Sequence, residues 1–239
     1  MSLELSGPEA SRPFIDAASP EHPSLLDPTH RLDALFGVVN IPNVVWIDEN
    51  GIIVRPPEAG WPGPPQYPES FQKGLAERVR QAAETAAKEG RTPGPDRMAI
   101  IGSGQDRGAY PDAIRDWARN GASSRFAMTP DQVVQASQPR GLALSRAVAH
   151  FELANHFWRA GEREAAFRHF NECHRLQPDN WTYKRQAWSL VGNERLGGGD
   201  FGRFMQMPLP GEEGDWPFDS NFDADVAKLQ PGEYFPKTM

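Results

Sequence analysis

Apolar residues in this chain recur at helical spacing in some stretches and in β-branched runs in others. Between Pro8 and Ala18, residues Phe14, Ile15 and Ala18 fall on one helical face, with Pro8 suited to the first turn and Pro20 and Pro23 beyond the end. A second short helix is predicted where Leu32, Leu35 and Phe36 stand at i, i+3, i+4, capped by Asp27 or Thr29 and closed by Gly37. Two β-branched runs follow, Val44 to Ile47 and Ile52 to Val54. The Asp48-Glu49-Asn50-Gly51 segment between them predicts a hairpin, because Asn and Gly tolerate positive φ. From Pro56 to Pro68 six prolines in thirteen residues predict a stiff, extended stretch unable to join a sheet.

Helical spacing returns from Glu69 to Lys88, where Phe71, Leu75, Val79, Ala82 and Ala83 form an amphipathic stripe with Gly90 past the last turn. Met98 to Ile101 is a brief apolar run, and Pro111 to Arg119 predicts another helix, ending at Asn120-Gly121. Pro130 to Ala136 predicts a further one, with Thr129 as N-cap before a proline at the first helical position.

The most specific pattern lies in the second half. With Ala147 as position 1 of a 34-residue repeat, Leu153 falls at 7, Ala154 at 8, Phe157 at 11, Gly161 at 15, Ala166 at 20, Phe170 at 24, Cys173 at 27 and Pro178 at 32. Small residues at 8, 20 and 27 let two antiparallel helices approach, aromatics at 11 and 24 fill the space between, and the proline ends the second helix. Only position 4 departs, where His150 replaces Trp. This stretch resembles a tetratricopeptide repeat in a single full copy, which must dock on neighbouring helices to bury its faces. Asn180 can cap a further helix from Trp181 to Val191, whose Trp181, Trp188, Leu190 and Val191 would supply that docking surface.

After Gly197-Gly198-Gly199 the periodicity dissolves. Residues 211–239 carry seven acids and two lysines, most of the net charge of −7. Trp216, Phe218, Phe222, Tyr234 and Phe235 predict that this acidic tail is draped on the body, since disordered tails are poor in aromatics. The same charge is the wrong sign for neutralising phosphates, so nucleic acid is not an expected partner. One cysteine excludes an intramolecular disulfide and a self-contained dithiol centre. No basic n-region, and no apolar run approaching about 18 residues, points to export or to a membrane, so the cytoplasm is the expected compartment.

Phe36-Gly37-Val38-Val39-Asn40-Ile41-Pro42, followed by Val44 to Ile47, the turn and a second strand, resembles the C-terminal half of a thioredoxin-like fold. It is similar to the ResA/TlpA-like proteins labelled thiol-specific antioxidants or alkyl hydroperoxide reductases. The resemblance covers about residues 1 to 60, with the 69 to 88 helix as a closing helix, and a segment like Trp181 to Trp188 occurs in some members. It implies a cis peptide before Pro42 and a substrate-facing role for Ile41 and Pro42. It also implies that the family's Cys or selenocysteine motif lies outside these residues, leaving no catalytic residue in this chain. A selenocysteine codon read as a stop, ordinary truncation and genuine loss are the accounts of that gap. Without the central strand of such a sheet, the Val44 to Ile47 edge would be unpaired. It is expected to be covered by a second subunit with Trp46 near the interface, by Ser2 to Leu5, or by the Pro-rich loop.

The expected fold is therefore α+β, mostly α: an incomplete thioredoxin-like unit over 1–60, a Pro/Gly-rich linker with helices over 61–139, a tetratricopeptide-like region over 140–195 and an irregular acidic tail over 196–239. Cys173 reads as a buried structural residue, together with Phe157, Ala166, Phe170 and Pro178. His169 and Cys173 at i, i+4 could seed a zinc site but lack a second ligand pair, so no metal and no cofactor is expected. Gly102 to Gly108 lacks the Gly-Lys-Ser/Thr of a phosphate loop and reads as a plain loop, and Asp48 with Glu49 read as solvated turn residues. Two functions are expected: a thioredoxin-like redox protein or fragment without its reactive residue, or a non-catalytic interaction scaffold. Either would meet a protein partner or a second copy, through the Val44 to Ile47 edge or the helical repeat.

Overall fold

In the computed structural model, residues 7–60, 108–137, 139, 141–196, 203–209 and 211–235 are described, with isolated helical residues at 73, 77, 80, 84, 87, 88 and 101. The 69 to 88 helix, the rest of the Pro-rich stretch, Met98 to Ile101, the Gly102 to Gly108 loop and Ser2 to Leu5 lie largely or wholly outside them. The described chain is mostly helical, with eight α-helices and one two-stranded antiparallel sheet. None of its helices is long and apolar enough to cross a membrane. The elements are α1 (Pro8–Ala18), α2 (Arg31–Phe36), β1 (Asn43–Ile47), β2 (Ile53–Ala59), α3 (Ala109–Asn120), α4 (Pro130–Ala136), α5 (Leu142–Arg159), α6 (Arg163–Leu176), α7 (Trp181–Leu196) and α8 (Phe222–Val226).

Two compact units cut across the segments expected from the sequence: Met1–Glu58 with Thr129–Phe222, and Ala59–Met128 with Asp223–Met239. In the first, the α5, α6 and α7 helices and the N-terminal segment share one core. A three-residue turn at Ala160 to Glu162, with Gly161 at φ 82°, returns α6 alongside α5. Ala147, Ala154, Ala166, Phe170 and Cys173 are buried along this pair. Asn180 caps α7, its Oδ1 accepting from Tyr183 N at 3.0 Å, and Trp181, Tyr183, Ala187, Trp188 and Val191 bury the inner face of that helix. Phe151 stacks on Tyr183 with ring centroids 4.0 Å apart and meets Phe170 edge-on at 5.9 Å, joining α5, α6 and α7. The tail as far as Phe222 lies on this body. Phe218 contacts Phe167, Phe170, His174 and Trp216, Asn171 donates to Pro217 O, and Phe222 meets Trp181 and Phe204.

The N-terminal elements form at the expected places but bury different residues. In α1 Phe14 is 71% exposed. In α2 the expected core stripe is overturned, because Leu35 is 60% exposed while Asp33 and Ala34 are buried. The cause is the cap: Asp27, itself buried, accepts from the N–H groups of Arg31, Leu32 and Asp33 and so fixes which face turns inward. The hairpin turn also differs in detail. Gly51 N–H donates to Asp48 O at 2.9 Å and Gly51 takes φ 78°, whereas Asn50 has no positive φ. This is a three-residue hairpin loop with a left-handed glycine, not a two-residue Asn-Gly turn. The Asp48 carboxylate accepts from Ile52 N and Asn50 N, bonds that hold it below the usual carboxylate range.

Strand β2 runs on through Pro56 and Pro57, correcting the expectation that this stretch stays out of a sheet. A two-stranded ribbon leaves one edge of each strand without ladder bonds, where a missing N–H is tolerated. Trp46 is covered within the chain, 2% exposed, with the Arg55 guanidinium 5.6 Å over its ring. Arg55 in turn makes a buried two-point ion pair with Glu58, Nη2 to Oε2 at 2.9 Å.

In the second unit, α3 ends at Gly121 and buries Tyr110 and Ala113. The Tyr110 ring sits so close to Gly60 that no Cβ fits there, which explains the glycine. Ser124 Oγ donates to Asp116 at 2.6 Å, and Tyr234 and Phe235 pack edge-on at 4.7 Å.

Candidate functional site

Three clusters in the first unit carry polar or reactive side chains. One centres on His30, the left-handed N-cap of α2 at φ 56°. Its Nδ1 lies 2.7 Å from Asp33 Oδ2, and both side chains are wholly buried. Phe151 and Tyr183 pack on the imidazole, with centroids 5.1 and 6.2 Å away. His30 Nε2 and Asp33 Oδ1 have no hydrogen-bond partner among the described residues. Burial lifts the Asp33 carboxyl above its ordinary range, against the lowering influence of His30, and Asp27 adds to the lift. A carboxylate that orients an imidazole is the geometry of a general base, but sealed under two aromatic rings it reaches no substrate.

The second cluster is the loop ahead of β1, where the Ile41–Pro42 peptide is cis. Helix α7 grips this loop from behind. Thr182 N donates to Val39 O at 3.2 Å, and Arg185 Nη2 donates to Asn40 Oδ1 at 2.6 Å, an oxygen that also accepts from Ile41 N. Asn40 is buried, whereas Ile41, 37% exposed, and Pro42 face outward. The segment proposed from the sequence to face a substrate is thus presented on a braced loop.

The third cluster lies on the α5–α6 pair. Cys173 is fully buried, and desolvation pushes its thiol well above the ordinary range, with the Lys184 charge a smaller opposing influence. Burial thus disfavours the thiolate that nucleophilic or redox chemistry needs. His169, at i, i+4 from Cys173, faces the other way: its Nδ1 is 2.8 Å from His150 Nδ1, and Phe157 stacks on its ring at 5.4 Å. Among the described residues no group of three or more His, Cys, Asp or Glu side chains could hold a metal ion. Phe157 is half-buried, Ala166 and Phe170 are fully buried, and Pro178 is exposed just past the end of α6.

His30 with Asp33, and His150 with His169, escape sequence reasoning. The first pair joins the N-cap residue of α2 to a position outside that helix's apolar stripe, while the second joins residues 19 apart. The available signal was His150 itself, the one departure from the repeat pattern. Comparison with protein-family models, with curated proteins and with solved structures found no match.

Proposed function

We propose that this chain is a non-catalytic protein-interaction module built on the α5–α6–α7 helices. The outward face of α5 carries the reading: Leu142 and Leu153, 77% and 44% exposed, stand eleven residues apart and so share one face of the helix. Arg146 and Ala149 lie between them on that face, also exposed. Apolar side chains aligned along a helix with a polar rim fit the docking of a protein partner or a second copy. The burial of Cys173 argues in the same direction, since it disfavours the thiolate of the chain's one cysteine.

A photo-crosslinking residue placed at Leu153 or Leu142 of the full chain tests the reading. The expected result is a discrete adduct with one protein or with a second copy, and native Cys173 that resists thiol reagents until the protein unfolds. Reduction of a disulfide or a peroxide by the purified chain, abolished in Cys173→Ser, would overturn it.

A second reading rests on Ile41 and Pro42, exposed immediately before β1 where a thioredoxin-like protein presents its substrate-facing loop. In that reading the chain is a redox protein or fragment whose reactive residue lies outside these residues. Activity that appears only when a reactive-motif segment is supplied would favour it over the interaction module.

A further inference from the structure

Going beyond the interaction reading, we propose that His150 and His169 form a proton clasp across the α5–α6 seam, closed while one proton lies between them and forced open by a second. The geometry imposes this. At 2.8 Å between the two Nδ1 atoms, one nitrogen must donate its hydrogen and the other must accept with a lone pair. The pair exists neutral or with a single positive charge. A second proton would put two N–H groups head to head and two like charges in contact, which only separation of the rings relieves.

The surroundings sharpen the effect. Phe157 stacks on His169 and limits its escape within the seam. The charged groups bearing on the pair are Arg168, which acts on His169, and Glu172, which interacts with His150, both on α6. Glu172 is engaged by Arg175 at 2.5 Å and approached by Arg146 at 3.8 Å, and its charge also interacts with His150. Of the elements packed on α5 through Phe151, α2 sets Arg31 3.9 Å from Glu152 of α5. Partial burial first, then His150 and Arg168, hold His169 below the ordinary histidine range. The folded state therefore binds this proton less readily than the unfolded chain. The stability linked to the clasp is complete above about pH 6.5 and is lost as pH falls through the lower folded value.

The test is an imidazole NMR titration of the full chain between about pH 8 and about pH 5, with urea unfolding at both ends. Wild type, His169→Gln and His150→Gln are compared. In the wild type the two imidazoles should titrate in separate, mutually dependent steps. In His169→Gln the remaining His150 should titrate in one step, and the acid-induced drop in unfolding midpoint should shrink about twofold or more. Independent single steps for both imidazoles in the wild type, or an acid response unchanged in both variants, would overturn the proposal. Should a variant fail to fold, the wild-type titration decides alone.

Discussion

Within one compact unit, the α5–α7 helices bury mostly apolar side chains, with Asn155, His174, Thr182 and Lys184 among them, whereas the N-terminal segment from α1 to β2 buries more polar side chains than apolar ones. The helices enclose Ala154, Ala166, Phe170, Cys173, Ala187 and Trp188, each fully buried and all but one at positions the helical spacing marks as inward. The N-terminal segment encloses Asp27, His30, Asp33, Asn40, Arg55 and Glu58, and leaves Leu25, Leu35, Ile47 and Ile52 more than two-fifths exposed. Each helix of the first group has enough turns for an apolar stripe to fix its orientation. The short elements of the second group are oriented by hydrogen bonds and ion pairs, which outweigh a stripe only a turn or two long. Stability there depends on satisfied polar groups, whose loss leaves a buried donor or charge uncompensated.

That contrast can be broken by substitution. Phe151→Ala should have the largest effect, because this one ring touches His30, Phe170 and Tyr183 and so serves both regions. A loss of about 4 kcal/mol in urea unfolding is expected, and a loss below about 1 kcal/mol would mean that the two regions do not share a core. Glu58→Gln leaves the buried Arg55 charge without its two-point partner and should cost about 3 kcal/mol. If the cost were only that of a surface pair, the polar core of the hairpin would be solvated and the contrast with α5–α7 weakened. Asp27→Ala removes the acceptor of three N–H groups at the start of α2, for an expected loss of about 2 kcal/mol. Amide exchange at Arg31 to Asp33 should quicken in parallel, and unchanged exchange there would argue against the cap.

Leu35→Gln should be the mildest, within about 0.5 kcal/mol, because this leucine points outward despite its place in the apolar stripe. The sharper contrast is with Ala34→Gln, one residue earlier, where the side chain is buried. If Leu35→Gln were the more damaging of the two, the sequence-predicted face of α2 would be the correct one after all.

Many element positions were legible: α1 spans the predicted residues, Thr129 caps α4 in a reciprocal box with Gln132, and Asn180 caps α7, whereas the extension of β2 to Ala59 and the helix α8 were not predicted. These features rest on local chemistry, a hydroxyl or amide reaching a backbone N–H three residues on. The turn at Asp48 to Gly51 was legible as a turn but not as its type, because Asn50 and Gly51 suit several hairpin loops and the Asp48 side chain selects among them. The α2 face was misread because Asp27, outside the helix, governs it. Of the candidate sites, Cys173 could be placed from helix spacing, whereas the polar clusters could not.

What the sequence by itself determined is where the longer helices and the hairpin lie, and which faces of the long helices turn inward, since period, caps and glycine positions act within a few residues. Only the tertiary structure decided that the N-terminal hairpin shares a unit with the α5–α7 helices, that Arg185 grips Asn40 from 145 residues away, and that His150 finds His169 across the seam. The physical reason is range. A hydrogen bond or a proton shared between two rings acts only at contact distance, and contact between remote residues exists only once the chain has folded.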